Sequence, residues 1–207
     1  MRSTGSIPGQ SETSRNVCPA GTLGIGSFPI RIIHVSIANA SETSPLSYFH
    51  GKALLERALI ESGLSYAILR PAVLFRVEDT LINNIAWTLR RFPVFGVFGD
   101  RNYRVQPIHV ADLAELAVRE GASRENRILN AIGPETFTFR ELVAATGRAI
   151  GRTRPIVSMP PAARYLVAWM IGSWKADILL TRDEIAGLMQ NLLYSHSEPT
   201  GWTRLTV

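Results

Sequence analysis

Tyr48 and Lys52 stand four residues apart in Ser47-Tyr48-Phe49-His50-Gly51-Lys52. On a helix this spacing places both side chains on one face, a turn apart. An ammonium held beside a phenol favours the phenolate, lowering a pKa that is ordinarily about 10. A tyrosine tuned in this way can pass a proton to or from an alcohol or carbonyl during hydride transfer. The same spacing also serves an ordinary helix-surface pair. With only two lysines in the chain, Lys52 and Lys175, against five tyrosines, coincidence is uncommon, but the pair needs supporting neighbours.

The elements that must position this pair are legible around it. Ile30-Arg31-Ile32-Ile33-His34-Val35-Ser36 is β-branched and apolar and reads as a strand. Residues 46–62 read as a helix with Leu55, Ala58 and Leu59 on its apolar side and Gly63 as the stop signal. Residues 64–70 read as a second strand ended by Pro71. Strand, helix and strand with short connections form a βαβ unit, which predicts parallel pairing. Beyond it, Asp79 caps a helix through Arg91, short extended pieces fill 92–110, and a helix runs from Ala111 to Glu120 with Asp112 capping or orienting its start. Residues 127–132 read as a strand. Thr138 and Glu141 form a capping box that opens a helix ending near Ile150. A short strand at 156–158 precedes an apolar helix from Pro160-Pro161 to Ile171, and a last helix runs from Thr181 to Leu193.

Bulk properties narrow the function classes. A hydrophobic content of 46% and a charged content of 19% are those of a globular chain. The net charge is +5, carried almost wholly by arginines spread along the sequence, with no Lys/Arg block or basic stripe interleaved with aromatics. That distribution argues against nucleic-acid binding. Cys18 is the only cysteine, which rules out disulfides within the chain, and four scattered histidines offer no metal-ligand spacing. No apolar run approaches the roughly 20 residues of a membrane span. These features predict a cytoplasmic or membrane-peripheral location.

Taken in order, five stretches resemble the extended short-chain dehydrogenases/reductases, in the atypical branch of epimerase/dehydratase-like, NmrA-like and respiratory complex I 39-kDa-subunit-like proteins. His34-Val35-Ser36 ends a strand where that family often places a catalytic serine, and Tyr48-x-x-x-Lys52 opens the next helix. Leu69-Arg70-Pro71 followed by Val73-Leu74-Phe75 stands where family members meet the nicotinamide end of their cofactor. Gln106-Pro107-Ile108-His109-Val110-Ala111-Asp112 and Gly133-Pro134-Glu135-Thr136-Phe137-Thr138 complete the series. The resemblance implies Tyr48, Lys52 and Ser36 as catalytic residues and Tyr48, Lys52, Arg70, Pro71 and Val73 as contacts to NAD or NADP, with a small alcohol, ketone or sugar-like substrate in an intact relative. His109, between apolar neighbours, reads as a structural histidine. Arg76 and Arg101 depart from the family pattern, standing where relatives carry glycine.

The expected fold is α/β. Residues 1–29 form a leader, and 30–135 form the C-terminal part of a Rossmann-type parallel sheet with inserted substrate-lobe segments. Residues 136–207 form a mainly helical lobe. The family's Gly-rich pyrophosphate turn needs a strand before it and a helix after it. Gly21-Thr22-Leu23-Gly24-Ile25-Gly26 has neither, and only 47 residues precede Tyr48. The chain is therefore expected to be N-terminally truncated relative to the family, impaired in dinucleotide binding, and prone to self-association through the edge of its first strand. The alternative is a non-catalytic scaffold or accessory protein of a respiratory or membrane-associated complex.

Overall fold

The structure is a computed structural model that describes residues 31–98, 103–159 and 190–205. The leader, the Gly21–Gly26 run, Arg101, the helix expected from Pro160 and most of the helix expected from Thr181 lie outside the described residues.

The βαβ unit forms as its periodicity predicts. Strand β1 (Arg31–Val35), helix α1 (Ser47–Glu61) and strand β2 (Ser65–Pro71) follow one another, and β1 pairs parallel to β2 with Ile33 opposite Ala67. Gly63 closes the helix in the left-handed region at φ +72°, a conformation that glycine reaches without strain. Pro71 is the last residue of β2 rather than a residue beyond it. Strand β3 (Val73–Phe75) and helix α2 (Thr80–Arg91) come next, and the Asp79 carboxylate accepts the Ile82 N–H at 2.6 Å as the N-cap.

Three short strands, β4 (Phe95–Phe98), β5 (Arg104–Val105) and β6 (Pro107–His109), lead into helix α3 (Val110–Ala122). Strand β7 (Arg127–Ala131) then joins β2, giving a parallel sheet in the order β1-β2-β7. Strand β8 (Phe137–Thr138), which is not among the strands expected from sequence, pairs antiparallel with β5. Helix α4 (Phe139–Ala149) starts with the expected Thr138–Glu141 capping box, and β9 (Ile156–Met159) pairs parallel with β4. Residues 190–193, expected to end a helix, form turns, with Asn191 at φ +57°.

Among the described residues two larger apolar cores result, beside a small cluster of Ala38, Ala72 and Ile132. One lies between the three-stranded sheet and α3, where Leu69, Ile108, Leu113, Leu116 and Ala131 meet. The other gathers Leu81, Ile85 and Leu89 of α2, Phe95 and Val97 of β4, and Phe139, Leu142 and Val143 of α4. Segments on both sides of residue 135 contribute to this second core. Gly133 joins the regions at a point where a Cβ would lie 1.9 Å from the Pro107 carbonyl oxygen, so only glycine fits without moving backbone.

Candidate functional site

The site lies at the carboxyl ends of β1 and β2, the end of a parallel sheet where ligands of open α/β folds bind. The Ser36 N–H donates to Leu69 O and the Ala38 N–H to Pro71 O, both at 2.8 Å, so the parallel ladder continues past the end of β1. This pairing sets Ser36 beside Leu69, Arg70 and Pro71.

Tyr48 and Lys52 lie in the first two turns of α1. The Lys52 ammonium stands 5.8 Å from the centre of the Tyr48 ring and donates to the Val35 carbonyl at 3.1 Å. One hydrogen bond thus fixes the cation at the end of β1, next to Ser36. Tyr48 is 45% exposed. A phenol open to solvent beside an anchored ammonium, with a serine nearby, can present a proton to a hydroxyl or carbonyl placed over it. Ser36 is buried, and its Oγ has no hydrogen-bond partner. The same holds for Nε2 of His34, two residues earlier on β1. Buried polar atoms are normally satisfied. Two unmet ones at one strand end leave donor and acceptor capacity for a ligand or an ordered water.

The helix face that holds this corner is not the expected one. Phe49, Ala53 and Glu56 are the buried residues of α1, at i, i+4 and i+7, while Leu55 is 57% exposed, Ala58 is exposed and Leu59 is half-buried. Glu56 is only 3% exposed because it meets Arg70 of β2 in a two-pronged ion pair, Nε to Oε1 at 3.0 Å and Nη2 to Oε2. A buried carboxylate is tolerable when its partner satisfies it with good geometry. The pair pins α1 to the sheet one turn beyond Lys52.

His34 senses this charge cluster. Burial lowers its pKa from the ordinary histidine value, the Lys52 ammonium lowers it further, and Glu56 opposes both. The neutral imidazole is therefore the favoured form.

The residues expected from the sequence thus fall into two groups. Lys52 links Tyr48 to the end of β1, where Ser36 follows Val35 and Pro71 lies alongside through its backbone. The Arg70 guanidinium is turned under α1 toward Glu56, and the Val73 side chain packs into the second apolar core. Glu56 and His34 were not singled out by sequence. Their signals were a glutamate four residues after Lys52 and a histidine two before Ser36.

At α3 the N-cap is His109, whose Nδ1 accepts the Ala111 N–H at 3.2 Å, while its ring packs edge-on to Phe75. Asp112, expected to cap or orient this start, instead holds the chain's C-terminal stretch. It accepts from Trp202 N–H at 2.8 Å, Thr203 N–H at 2.7 Å and the Thr203 hydroxyl at 2.6 Å. Burial pushes its carboxyl up, but these hydrogen bonds and His109 outweigh that, leaving its pKa below the ordinary carboxylate value. Among the described residues there is no group of three metal-ligating side chains, and no helix is long and apolar enough to cross a membrane.

No protein-family model matches the chain. The NADH dehydrogenase (ubiquinone) 1 alpha subcomplex subunit 9 of Arabidopsis thaliana mitochondria is 27% identical over 143 residues, covering 67% of this chain and 36% of that protein. Its counterpart in Dictyostelium discoideum is 30% identical over 115 residues, covering 55% of this chain and 32% of that protein. The chain thus spans about a third of the length of these curated relatives. Among solved structures, an NADPH-dependent quinone oxidoreductase of Escherichia coli superposes with a TM-score of 0.60 at 22% identity, over 81% of this chain and 58% of that one. A nucleoside-diphosphate-sugar epimerase of Staphylococcus aureus gives 0.60 at 18% identity, over 81% and 57%. The mixed α/β, Rossmann-type architecture expected from sequence is the one observed, and the chain's curated relatives are, by name, subunits of mitochondrial NADH–ubiquinone oxidoreductase.

Proposed function

From this kinship with the 39-kDa-type subunits and the fold of NAD(P)-binding epimerases and reductases, we propose that the chain is an accessory, non-turnover component of an NADH–quinone oxidoreductase assembly. The carrying observation is that relatives from a plant and an amoeba, both subunits by name, align over more than half of the chain, whereas the enzymes resemble it in fold alone. The test is to tag the protein in its own cells and resolve native membranes by size. Co-migration with NADH–quinone oxidoreductase activity is expected. A tagged species running only at its own mass would overturn the reading. The intact mass of the tagged species would also show how long the cellular protein is.

A second reading rests on the Tyr48–Lys52–Ser36 corner. Its geometry supports a seat for the nicotinamide-ribose end of NAD or NADP: Lys52 would contact the ribose, and Tyr48 and Ser36 would face the reacting carbon's oxygen. When bound, the dinucleotide would supply hydride. The chain's own part would be to orient that end and to hold a proton on the Tyr48 oxygen. In the accessory protein this seat would anchor a cofactor rather than cycle it. Titration with NADPH and NADH, followed by nucleotide fluorescence, should show binding that Lys52→Ala weakens about tenfold or more and Tyr48→Phe weakens less. Equal affinity in all three proteins would exclude the corner as the seat.

A further inference from the structure

Outside the apolar cores, one stretch is held mainly by polar contacts. Residues 192–205 run across the carboxyl ends of β1 and β7, tied in turn to segments far away in sequence. The Asn39 amide donates to Leu192 O at 2.7 Å and to Tyr194 O at 2.9 Å. Gln106 donates its N–H to Leu193 O at 3.2 Å and accepts the Ser195 N–H on Oε1 at 2.8 Å. Asn130 donates to the Ser197 hydroxyl at 2.7 Å, and Ile132 O accepts the N–H groups of Thr200 and Gly201, both at 3.0 Å. Asp112 takes the N–H groups of Trp202 and Thr203, and Glu135 takes that of Leu205.

Apolar burial contributes little to this stretch. Among residues 190–205 only Gly201 is buried, at a point where a Cβ would lie 2.9 Å from Asp112 Oδ2. Leu193 and Leu205 reach the second core only part-buried, and Trp202 is 53% exposed. The groups that hold the stretch include Gln106 and Asp112, both buried. Water can replace such hydrogen bonds at small net cost, whereas the cores cannot open without exposing hydrocarbon. Segments built in this way lie at the low end of a protein's local stability.

Asn39 joins the stretch to the candidate site. It sits in the left-handed region at φ +56°, which asparagine tolerates better than most residues, in the loop that leads from Ser36 to Tyr48. Ala38, just before it, donates its N–H to Pro71 O at 2.8 Å and is fully buried with Ala72 and Ile132. Ile132 is the residue whose carbonyl holds Thr200 and Gly201. The stretch therefore grips this small cluster twice, through Asn39 beside Ala38 and through Ile132. We propose that residues 192–203 act as a latch that docks and undocks as one unit and, through Asn39, fixes the chain leaving Ser36 when docked. The alternative is a row of independent tethers. Because both grips bear on the same three buried residues, release of one removes support from the other. The latch needs no bound dinucleotide and stands whether or not the corner seats one.

Native-state amide hydrogen exchange on the full chain tests this by cutting one end of the latch and reading the other. In the parent protein, the amides of Ser195, Thr200, Gly201, Trp202 and Thr203 should share one degree of protection. That protection should be about tenfold or more below that of the core amides of Leu89 and Leu142. Asn39→Gly keeps the left-handed backbone and removes both donors. It should speed exchange by about tenfold or more, from the loss of two hydrogen bonds, and by the same factor at Ser195 and at the distant Trp202 and Thr203. Asp112→Ala cuts the other end. Besides its direct effect on Trp202 and Thr203, it should speed exchange at Ser195 and at Ala38, next to the candidate site. Melting curves verify that each variant folds, and Asn39→Gly decides alone if Asp112→Ala does not. Acceleration confined to the amides nearest each substitution would leave independent tethers and overturn the proposal. So would protection of the stretch in the parent equal to that of Leu89 and Leu142, or an Ala38 amide that keeps its parent rate when Asp112 is cut.

Discussion

Beneath α1, the sheet encloses Glu56, Ser36 and the Nε2 of His34, while the region around Leu89 and Leu142 encloses almost nothing but hydrocarbon and aromatic rings. Burying polar groups costs free energy unless each finds a partner, and apolar burial stabilises by about 25 cal/mol per Å2. The corner with Tyr48 and Lys52 therefore rests on one good ion pair, Glu56–Arg70, and tolerates two unsatisfied atoms. The second region supplies packing and carries its charge on the outside. Polar groups and apolar packing are divided between them, and the division can be tested by substitution.

The largest effect is expected from the apolar side. Leu142 is fully buried, and Leu142→Ala should cost about 3–4 kcal/mol through lost burial and a residual cavity, read from denaturant unfolding. If the regions are divided as described, the folded fraction of that variant should bind dinucleotide as the parent does. A parallel loss of affinity would show that the two are coupled. Glu56→Ala comes next. It leaves Arg70 facing a polar void, at about 2–3 kcal/mol once the guanidinium's partial exposure is allowed for. Because Glu56 pins α1, this variant should also weaken any dinucleotide binding, which separates it from Leu142→Ala.

Asp112→Ala should cost about 2 kcal/mol, because the Trp202 and Thr203 N–H groups lose their acceptor. Amide hydrogen exchange should quicken first at those two residues. The Asp112 carboxyl is held below its unfolded pKa of about 4, so its contribution is present above that pH and lost as pH falls through the lowered folded value. A variant with Asn at this position should flatten the acid limb of the stability curve.

The smallest effect belongs to His34. Its folded pKa lies below the unfolded value of about 6.5, so the unfolded chain takes up a proton first as pH falls. The stability that this confers is present above that pH and lost on going down toward the lowered value. His34→Gln should remove that part of the pH dependence. An unchanged slope between about pH 7 and 5 would mean that the imidazole is solvated after all.

Much of the architecture was legible because it depends on local signals. The β-branched run at 31–35, the stop at Gly63, the Asp79 cap and the Thr138–Glu141 box each act within a few residues, and the elements formed where these signals placed them. The Tyr48–Lys52 adjacency was legible for the same reason, since four residues on a helix fix it. The buried face of α1 was not. Apolar residues lie on both sides of that helix, so periodicity alone favoured Leu55 and Leu59, whereas in the fold Phe49 and Ala53 pack inward and Arg70 on β2 satisfies the Glu56 carboxylate beside them.

The sequence by itself thus determined most of the strands and helices, the βαβ order and the Tyr48–Lys52 spacing, because short-range backbone preferences and helical spacing decide those. Tertiary structure alone decided what lies across from them. Strand pairing between β4 and β9 set Phe95 opposite Ile156 and Val97 opposite Ser158, residues more than fifty positions apart in the chain. It also gave Asp112 to the Trp202–Thr203 backbone instead of its own helix start. Contacts between distant segments follow from which faces pack together, and no local pattern in a single sequence encodes that choice.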